Sequence, residues 1–250
     1  KACRIDTVPA DALPPTLRWL ILTDNRIDAL PDTLGRCVPL QKLMLAGNRL
    51  RRLPDSIARC QRLELVRLAA NAFETTADAL PSGLLALPQL AWLAHAGNPF
   101  SAAQEQRATA AATAAPIHWT TLQCQGLLGE GASGVIHAAV WQPAGAPAQP
   151  VALKLLKGAV TSDGLPRSEM AACMAAGSHP HLVGVLGQLA GHPDSTPGLV
   201  LQRIPAAHAS LAGPPSLATC SRDVYATGLR LPAAAAQAIA RGMQSALAHL

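Results

Sequence analysis

The chain has 250 residues, of which 50% are hydrophobic and only 3% aromatic, and its formal net charge is +5. This apolar fraction excludes a disordered chain and is enough for one or two domains with aliphatic cores. The small basic excess is spread evenly along the chain, which argues against a dedicated nucleic-acid-binding protein. We therefore expect no nucleic acid among its partners.

Six cysteines are present, and no two of them form a C-x-x-C pair. This spacing argues against a conventional zinc site, and six cysteines are too few for a disulfide scaffold of this length. No stretch of 18 or more apolar residues occurs, so we expect no membrane span. A reducing, cytoplasmic location fits these observations best.

The first hundred residues contain an internal repeat of the pattern L-x-x-L-x-L-x-x-N-x-L. Its copies begin at Leu17, Leu40, Leu63 and Leu90, so that the third unit is four residues longer than the first two. One such unit cannot bury its apolar face alone, and neighbouring units must stack to form a continuous core. The asparagine of each unit can bond backbone groups at a turn, which predicts a ladder of asparagines between stacked units.

This pattern resembles the leucine-rich repeat family, and the resemblance implies an α/β solenoid over residues 1–100 with a short parallel strand in each unit. Cys37 and Cys60 occupy the same place in successive units, and we interpret them as small buried residues rather than as a disulfide. Cys3 stands where a preceding unit would have its asparagine. We therefore expect that the chain begins inside a repeat and that residues precede it.

Side chains between the inward leucines are expected on the concave face of the solenoid. Two tryptophans among them are typical of anchors for a protein partner, but they could equally cover the solenoid edges or pack on another domain. The candidate partner-binding residues are Trp19, Ile21, Lys42, Met44, Arg67 and Trp92.

An alanine-rich polar stretch follows the repeats, and we interpret residues 101–118 as a cap or linker. The remaining residues, 119–250, form a second candidate domain. It opens with Gly129, Gly131 and Gly134 in the spacing G-x-G-x-x-G, which by itself is a weak signal shared with dinucleotide-binding domains. The residues that follow are β-branched and apolar, and Lys154 stands where those domains carry an acid. These features favour a hairpin over a nucleotide rather than a strand-to-helix turn.

Lys154 lies in the segment Val-Ala-Leu-Lys, between two leucines, where a buried ammonium group would need an anionic partner. Glu169, at the start of a helical run, is the candidate partner. The next segment reads His-Pro-His-Leu-Val from His179, and an apolar strand ends at Leu201 and Gln202. Residues 231–250 predict one long helix with Pro232 in its first turn.

Taken in this order, these segments resemble the ATP-binding half of protein kinases. The resemblance implies an α+β N-lobe, with a five-stranded antiparallel sheet and a C-helix, followed by the first helices of a truncated C-lobe. It implies that Lys154 and Glu169 are the catalytic ion pair, with Lys154 contacting the ATP phosphates. The glycine-rich loop would cradle those phosphates through Gly129, Glu130, Gly131, Ala132, Ser133 and Gly134. The adenine would lie against Val135 or Ile136, Ala152 and Leu201, with its edge bonded near Gln202 and Ile204.

The sequence departs from this family in two ways. The catalytic loop H-R-D-x-x-x-x-N and the D-F-G metal site are missing, and no asparagine follows Asn98. His181 replaces the usual asparagine of the H-P-N segment. We therefore expect a fragment of a cytosolic leucine-rich-repeat Ser/Thr-type kinase, inactive alone, with ATP as ligand and the Mg²⁺ ligands outside these residues. The alternatives are a repeat scaffold with a pseudokinase domain, or repeats that act without the second domain.

Overall fold

The computed structural model describes residues 2–131, 133–158, 161, 164–216 and 218–250. The chain divides into two compact units, each made of more than one stretch of sequence. The first unit comprises residues 1–107, 159–168 and 214–224, and the second comprises 108–158, 169–213 and 225–250. Among the described helices, none combines the length and apolar character needed to cross a bilayer.

The first unit contains a parallel four-stranded sheet in which the strands pair in chain order. The strands are β1 (Trp19–Ile21), β2 (Lys42–Met44), β3 (Leu65–Arg67) and β4 (Trp92–Ala94). Equivalent residues of successive units are direct neighbours, as Leu20, Leu43, Val66 and Leu93 illustrate. The predicted α/β repeat architecture is therefore confirmed.

Short helices return the chain from one strand to the next. The first two units use 3-10 helices at Asp32–Arg36 and Asp55–Arg59. The longer third unit uses two four-residue helices, α1 (Thr76–Ala79) and α2 (Ser82–Leu85). A longer helix, α3 (Pro99–Ala111), follows β4. It covers most of the stretch in which the sequence predicted a cap or linker.

The asparagines form the expected ladder between units. The Asn48 side-chain amide donates to the carbonyl oxygens of Leu45 and Leu22, each at 2.9 Å, and its Oδ1 accepts from the Ile27 amide at 3.1 Å. Asn71 repeats this arrangement one unit further along. Because these side chains are buried, each one satisfies backbone groups that water cannot reach.

Cys37 and Cys60 are free thiols with no exposed surface, which agrees with the interpretation of both as buried small residues. The Cys60 thiol donates to the carbonyl oxygen of Leu34 at 3.5 Å. Burial, together with the neighbouring Cys37, raises the pKa of Cys60 to about 11. A thiol with this pKa stays protonated at neutral pH and is a poor nucleophile.

The second unit is built on a six-stranded sheet of order β5-β9-β10-β8-β7-β6. Its strands are β5 (Pro116–His118), β6 (Leu122–Glu130), β7 (Gly134–Trp141), β8 (Gln149–Leu156), β9 (Val185–Ala190) and β10 (Gly198–Gln202). Five strands are antiparallel, as the sequence predicted, but β5 adds a sixth strand parallel to β9. The sequence analysis placed Pro116–His118 in the linker. The strand forms because Ile117 is buried in the cluster that contains Leu189 and Val200.

Two helices accompany this sheet, α4 (Pro166–Ala175) and α5 (Ala233–His249). Met170 of α4 packs with Leu156 of β8 and Leu199 of β10. The other sheet face holds the cluster around Leu153 and Val200. The chain therefore places α4 against the even-numbered side chains of β8, which include Lys154.

The helix predicted over residues 231–250 is present, with Pro232 immediately before its first turn. Its apolar stripe, however, is not its buried face. Ile239, Met243 and Leu247 are exposed, whereas Gly242 and Ala246 are buried. A side chain at position 242 would lie 3.1 Å from the His181 ring, so the absence of a side chain there lets α5 approach this loop closely.

Candidate functional site

The candidate site centres on an ion pair between Lys154 of β8 and Glu169 of α4. Both side chains are largely buried, with 18% of Lys154 and 31% of Glu169 exposed. Lys154 pairs across the sheet with Ile136 of β7 and Leu199 of β10, so its position is fixed by the strand register on both sides. The two residues that sequence reasoning assigned as a pair are thus brought together.

The glycine-rich loop is the turn of the hairpin formed by β6 and β7. The Gly131 amide donates to the carbonyl oxygen of Gly134 at 2.9 Å and closes the turn. The Ser133 hydroxyl lies 3.5 Å from the Glu169 carboxylate, so the loop, α4 and β8 meet at this carboxylate. Ala132, also assigned to the loop, lies outside the described residues.

The glycines of this loop differ in their surroundings. A Cβ atom at Gly129 or Gly131 would meet nothing within 4 Å. A Cβ atom at Gly134 would lie 2.5 Å from the carbonyl oxygen of Leu155. Gly134 is therefore required for the close approach of β7 to β8, whereas Gly129 and Gly131 leave the backbone open on one side.

Glu130, another residue assigned to the loop, forms an ion pair with Lys157 at the end of β8. This pair is exposed, and the hydrogen bond and charge of the Lys157 ammonium lower the pKa of Glu130. The Lys157 amide also donates to the carbonyl oxygen of Ser133 at 3.0 Å. Sequence reasoning missed Lys157. Lys157 lies directly after the last residue of β8, and no spacing in the sequence indicated its pairing with Glu130.

An apolar face adjoins the ion pair. Strand pairing places Ile136 opposite Lys154, and Ala152 opposite Leu201. Since side chains alternate along a strand, Ile136, Ala152 and Leu201 share the face of Lys154, whereas Val135, opposite Leu155, lies on the other face. Of the two residues that the sequence left open for this position, the register favours Ile136.

The remaining two assigned residues, Gln202 and Ile204, line a groove of about 740 Å³ in the second unit. Its other walls are the loop at His181 and the exposed apolar side of α5, including Met243 and Leu247. Lys154 and the glycine-rich loop are not among its lining residues. The assigned residues therefore divide between the ion-pair region and this groove.

The candidate partner-binding residues form two cation–aromatic pairs on neighbouring strands of the first unit. The Lys42 ammonium lies 4.2 Å from the centre of the Trp19 ring, and the Arg67 guanidinium lies 5.6 Å from the centre of the Trp92 ring. Ile21 and Trp92 are exposed, while Met44 is partly buried. Such pairs hold flat aromatic surface in a fixed orientation beside a positive charge.

A polar ladder beside these strands was missed by sequence reasoning. The Arg18 guanidinium donates to the Gln41 side chain at 2.7 Å, and Gln41 donates to the Glu64 carboxylate at 3.1 Å. The Ser221 hydroxyl donates to the other oxygen of Glu64 at 2.7 Å. The 23-residue spacing of Arg18, Gln41 and Glu64 was a signal in the sequence, but nothing there indicated Ser221.

No group of three or more histidine, cysteine or acidic side chains in the described ranges is placed to hold a metal ion. The sequence predicts that the Mg²⁺ ligands lie outside these 250 residues, and this stays a prediction.

The comparison with known families concerns part of the first unit. The family described as leucine rich repeat matches residues 15–73, which contain β1 to β3 and their asparagine ladder. Over these residues the chain is similar to leucine-rich repeats, in agreement with the resemblance seen in the sequence.

A leucine-rich-repeat protein of Leptospira interrogans is similar in structure to part of this chain, with 31% sequence identity and a TM-score of 0.36. The similarity covers 42% of this chain and 26% of that protein, so the chain spans about a quarter of its length. No curated protein matches the chain in sequence.

Proposed function

We propose that the second unit binds ATP in the manner of a protein kinase N-lobe and that the leucine-rich repeats recruit a protein partner. The observation that carries the first part is the ion pair between Lys154 and Glu169 beside the glycine-rich hairpin. A lysine on a sheet strand, held by a helix carboxylate next to a glycine hairpin, is the arrangement that positions ATP phosphates in kinases.

The open side of the hairpin supports phosphate binding. No atom lies within 4 Å of the place where a Cβ atom would stand at Gly129 or Gly131, so a phosphate group can approach this side of the hairpin backbone closely, although the Gly131 amide itself already donates to the Gly134 carbonyl oxygen. Ser133 adds a hydroxyl group 3.5 Å from the carboxylate of Glu169, which is also the ion-pair partner of Lys154. The ammonium of Lys154 would then lie between the Glu169 carboxylate and the phosphates and offset part of their negative charge.

The adjoining apolar face supports binding of the adenine ring. Ile136, Ala152 and Leu201 present aliphatic surface on the side of the sheet that carries Lys154. Ala152 leaves room that a larger side chain would fill. Where the sheet ends, the Gln202 amide already donates to the Gly184 carbonyl oxygen at 2.8 Å, so the edge of the base would bond to the Gln202 carbonyl oxygen or to the backbone of Ile204.

For a longer protein that also carries a catalytic loop and a metal site, we propose transfer of the γ-phosphoryl group of ATP to a protein hydroxyl. Mg²⁺ would neutralise phosphate charge in that reaction. Within these 250 residues the proposed role of Lys154 and Glu169 is to bind and orient the nucleotide.

The test is ATP affinity of the 250-residue chain, measured by calorimetry with and without Mg²⁺. Lys154→Met should weaken binding at least tenfold, because the phosphates lose their cation. Lys157→Met is the matched control: it removes an exposed lysine from the same strand end, and its Kd should stay within about threefold of wild type. Equal Kd values for wild type and Lys154→Met would overturn the proposal.

A pseudokinase scaffold is the second candidate, and the loop at His181 favours it. The His181 ring packs against Gly242 of α5, where the kinase pattern has an asparagine. A chain that also carries a catalytic loop would decide between the two. ATP binding without phosphoryl transfer to any protein substrate would identify the scaffold, and transfer that Lys154→Met abolishes would identify the kinase.

The recruitment role rests on the repeats and on their two cation–aromatic pairs. Trp92 and Ile21 leave apolar surface exposed beside Arg67 and Lys42, which suits a partner that presents both apolar and acidic side chains. Arg67→Ala together with Trp92→Ala should abolish capture of such a partner, while ATP binding stays unchanged.

A further inference from the structure

The two oxygens of the Glu64 carboxylate accept hydrogen bonds from different parts of the chain: one from within the repeats, the other from outside them. Oε1 accepts from Gln41, which itself accepts from Arg18, so this oxygen closes a ladder across three units. Oε2 accepts from the Ser221 hydroxyl at 2.7 Å. Ser221 is 157 residues away in the sequence and belongs to a segment that the repeats do not supply.

This segment, residues 214–224, is grouped with the repeats, although the residues on either side of it belong to the second unit. Its described part is a compact turn that makes its own backbone bonds. The Cys220 amide donates to the Ser216 carbonyl oxygen, and the Arg222 amide donates to the Thr219 carbonyl oxygen, both at 3.0 Å. A turn that is closed in this way can leave or occupy a surface as one piece.

Ser221 contacts the ladder, and its two neighbours in the turn, buried Cys220 and exposed Arg222, lie close enough for charges to act between them and Glu64. Cys220 is only 1% exposed, although it lies in a loop. Burial and the Glu64 carboxylate raise the pKa of its thiol, whereas the charges of Lys42 and Arg18 act to lower it. Burial by itself raises the pKa of Glu64, but the Ser221 hydroxyl and the Arg222 charge lower it overall. The carboxylate therefore favours a small residue, a hydroxyl and a cation in this order.

The turn is held in place at a conformational cost. Cys220 has a φ of 58°, in the left-handed region that residues with a side chain rarely adopt. Such a conformation persists only where surrounding contacts stabilise it. The contacts of the docked turn must therefore offset this cost, and only the remainder stabilises the docked state.

We propose that the Glu64 edge of the repeats is a docking site for a short peptide turn, and that the chain's own segment 214–224 occupies this site. A protein partner that presents a small residue followed by serine and arginine would displace the segment and take its place. This inference goes beyond the recruitment proposed for Arg67 and Trp92, because it places a second site, at Glu64, on the same repeats. The repeats would then recruit such a partner only in competition with their own chain.

Alkylation of Cys220 reports directly whether the segment is docked. In the wild-type chain, N-ethylmaleimide should modify exposed Cys3 and Cys124 quickly and Cys220 slowly, as followed by peptide mass spectrometry. Ser221→Asp places a carboxylate against Glu64 and should accelerate Cys220 alkylation at least tenfold. Cys37 and Cys60 are the internal control, since their protection shows that the repeats remain folded.

Two further variants separate charge repulsion from loss of a contact. Ser221→Ala removes the hydroxyl without adding a charge and should accelerate Cys220 alkylation by a smaller factor, about threefold. Glu64→Lys combined with Ser221→Asp restores an attractive pair and should return Cys220 to slow alkylation. If Cys220 reacts at the same rate in wild type and Ser221→Asp, the docked segment is not held by Glu64 and the proposal fails.

A synthetic peptide of residues 214–224 then tests whether the site accepts a ligand from outside. It should bind the Ser221→Asp chain at least tenfold more tightly than the wild-type chain, whose own segment competes. Adding Glu64→Ala should abolish that binding. A peptide that binds neither chain would overturn the docking site while leaving the proposed ATP binding and recruitment by Arg67 and Trp92 untouched, because those are measured separately.

Discussion

The side-chain amide of Asn71 donates a hydrogen bond to the carbonyl oxygen of Leu45, 26 residues earlier in the chain, at 3.0 Å. Through this bond one repeat satisfies the backbone of the repeat before it. The same amide also serves Leu68 in its own repeat, and its oxygen accepts from Leu50. A single buried side chain thus joins two neighbouring repeats.

Asn71→Ala should therefore lower the free energy of unfolding by about 3 kcal/mol, because it strands several buried backbone groups. Urea unfolding followed by tryptophan fluorescence measures the effect. Asn25→Ala is the matched control in the first repeat. Its oxygen serves Cys3 and Ile5, which water reaches more easily, so the loss should be smaller. Equal losses at Asn25 and Asn71 would contradict this account.

The Cys60 thiol should make the stability of the chain fall at alkaline pH. Its pKa is raised to about 11 by burial, so above about pH 9 the unfolded chain loses this proton while the folded chain keeps it. The free energy of unfolding should decrease between pH 9 and pH 11 more steeply in wild type than in Cys60→Ala. Parallel pH profiles for the two chains would show that Cys60 does not contribute.

The Glu105 carboxylate should make the stability of the chain fall at acidic pH. Burial disfavours its charge, but donors from Ser101, Gly97 and Ser168 outweigh burial and lower its pKa. The folded state thus favours the carboxylate, so its stabilisation is present above about pH 4.5 and is lost as the pH falls further. Glu105→Gln should cost about 1 kcal/mol at pH 7, and its unfolding free energy should approach that of wild type below pH 4. A difference that stays constant from pH 7 to pH 3 would contradict this reading.

Replacing the glycines of the hairpin by alanine should affect the stability of the second unit differently at Gly134 and at Gly131. Gly134→Ala should destabilise the second unit by about 2 kcal/mol, because a methyl group there overlaps the Leu155 carbonyl oxygen. Gly131→Ala meets no atom and should change the stability by less than about 0.5 kcal/mol. Thermal unfolding by circular dichroism compares the two. Similar losses at both positions would show that the hairpin is packed on both sides.

The repeat architecture and the asparagine ladder were predictable because both arise from side chains that recur at a fixed interval. The spacing of Leu20, Leu43 and Val66 alone predicts a strand at each of them. The burial of Cys37 and Cys60 follows from the same 23-residue interval. The pairing of Lys154 with Glu169 was predictable for a different reason: an ammonium group on an apolar strand needs a carboxylate nearby.

The remaining features depend on contacts that no local pattern encodes. Strand β5 was missed because three residues carry too little periodicity, and its place beside β9 is set by the burial of Ile117. The face on which Val135 lies depends on its pairing with Leu155 across β7 and β8, and this register cannot be read from the glycine-rich loop alone. The bond between Ser221 and Glu64 joins residues 157 positions apart, and a solvated turn in the sequence gives no sign of what it touches.

The contact of residues 214–224 with the repeats also has a consequence during synthesis, because this segment is made long after the repeats. A ribosome adds roughly 5 to 20 residues per second, so more than a hundred residues between Arg107 and Val224 take on the order of 6 to 25 seconds to make. During that interval the repeats have been synthesised, but the Ser221 hydroxyl that donates to Glu64 has not. A nascent chain would thus pass through a period in which this carboxylate is open to other proteins, before its own turn arrives to cover it.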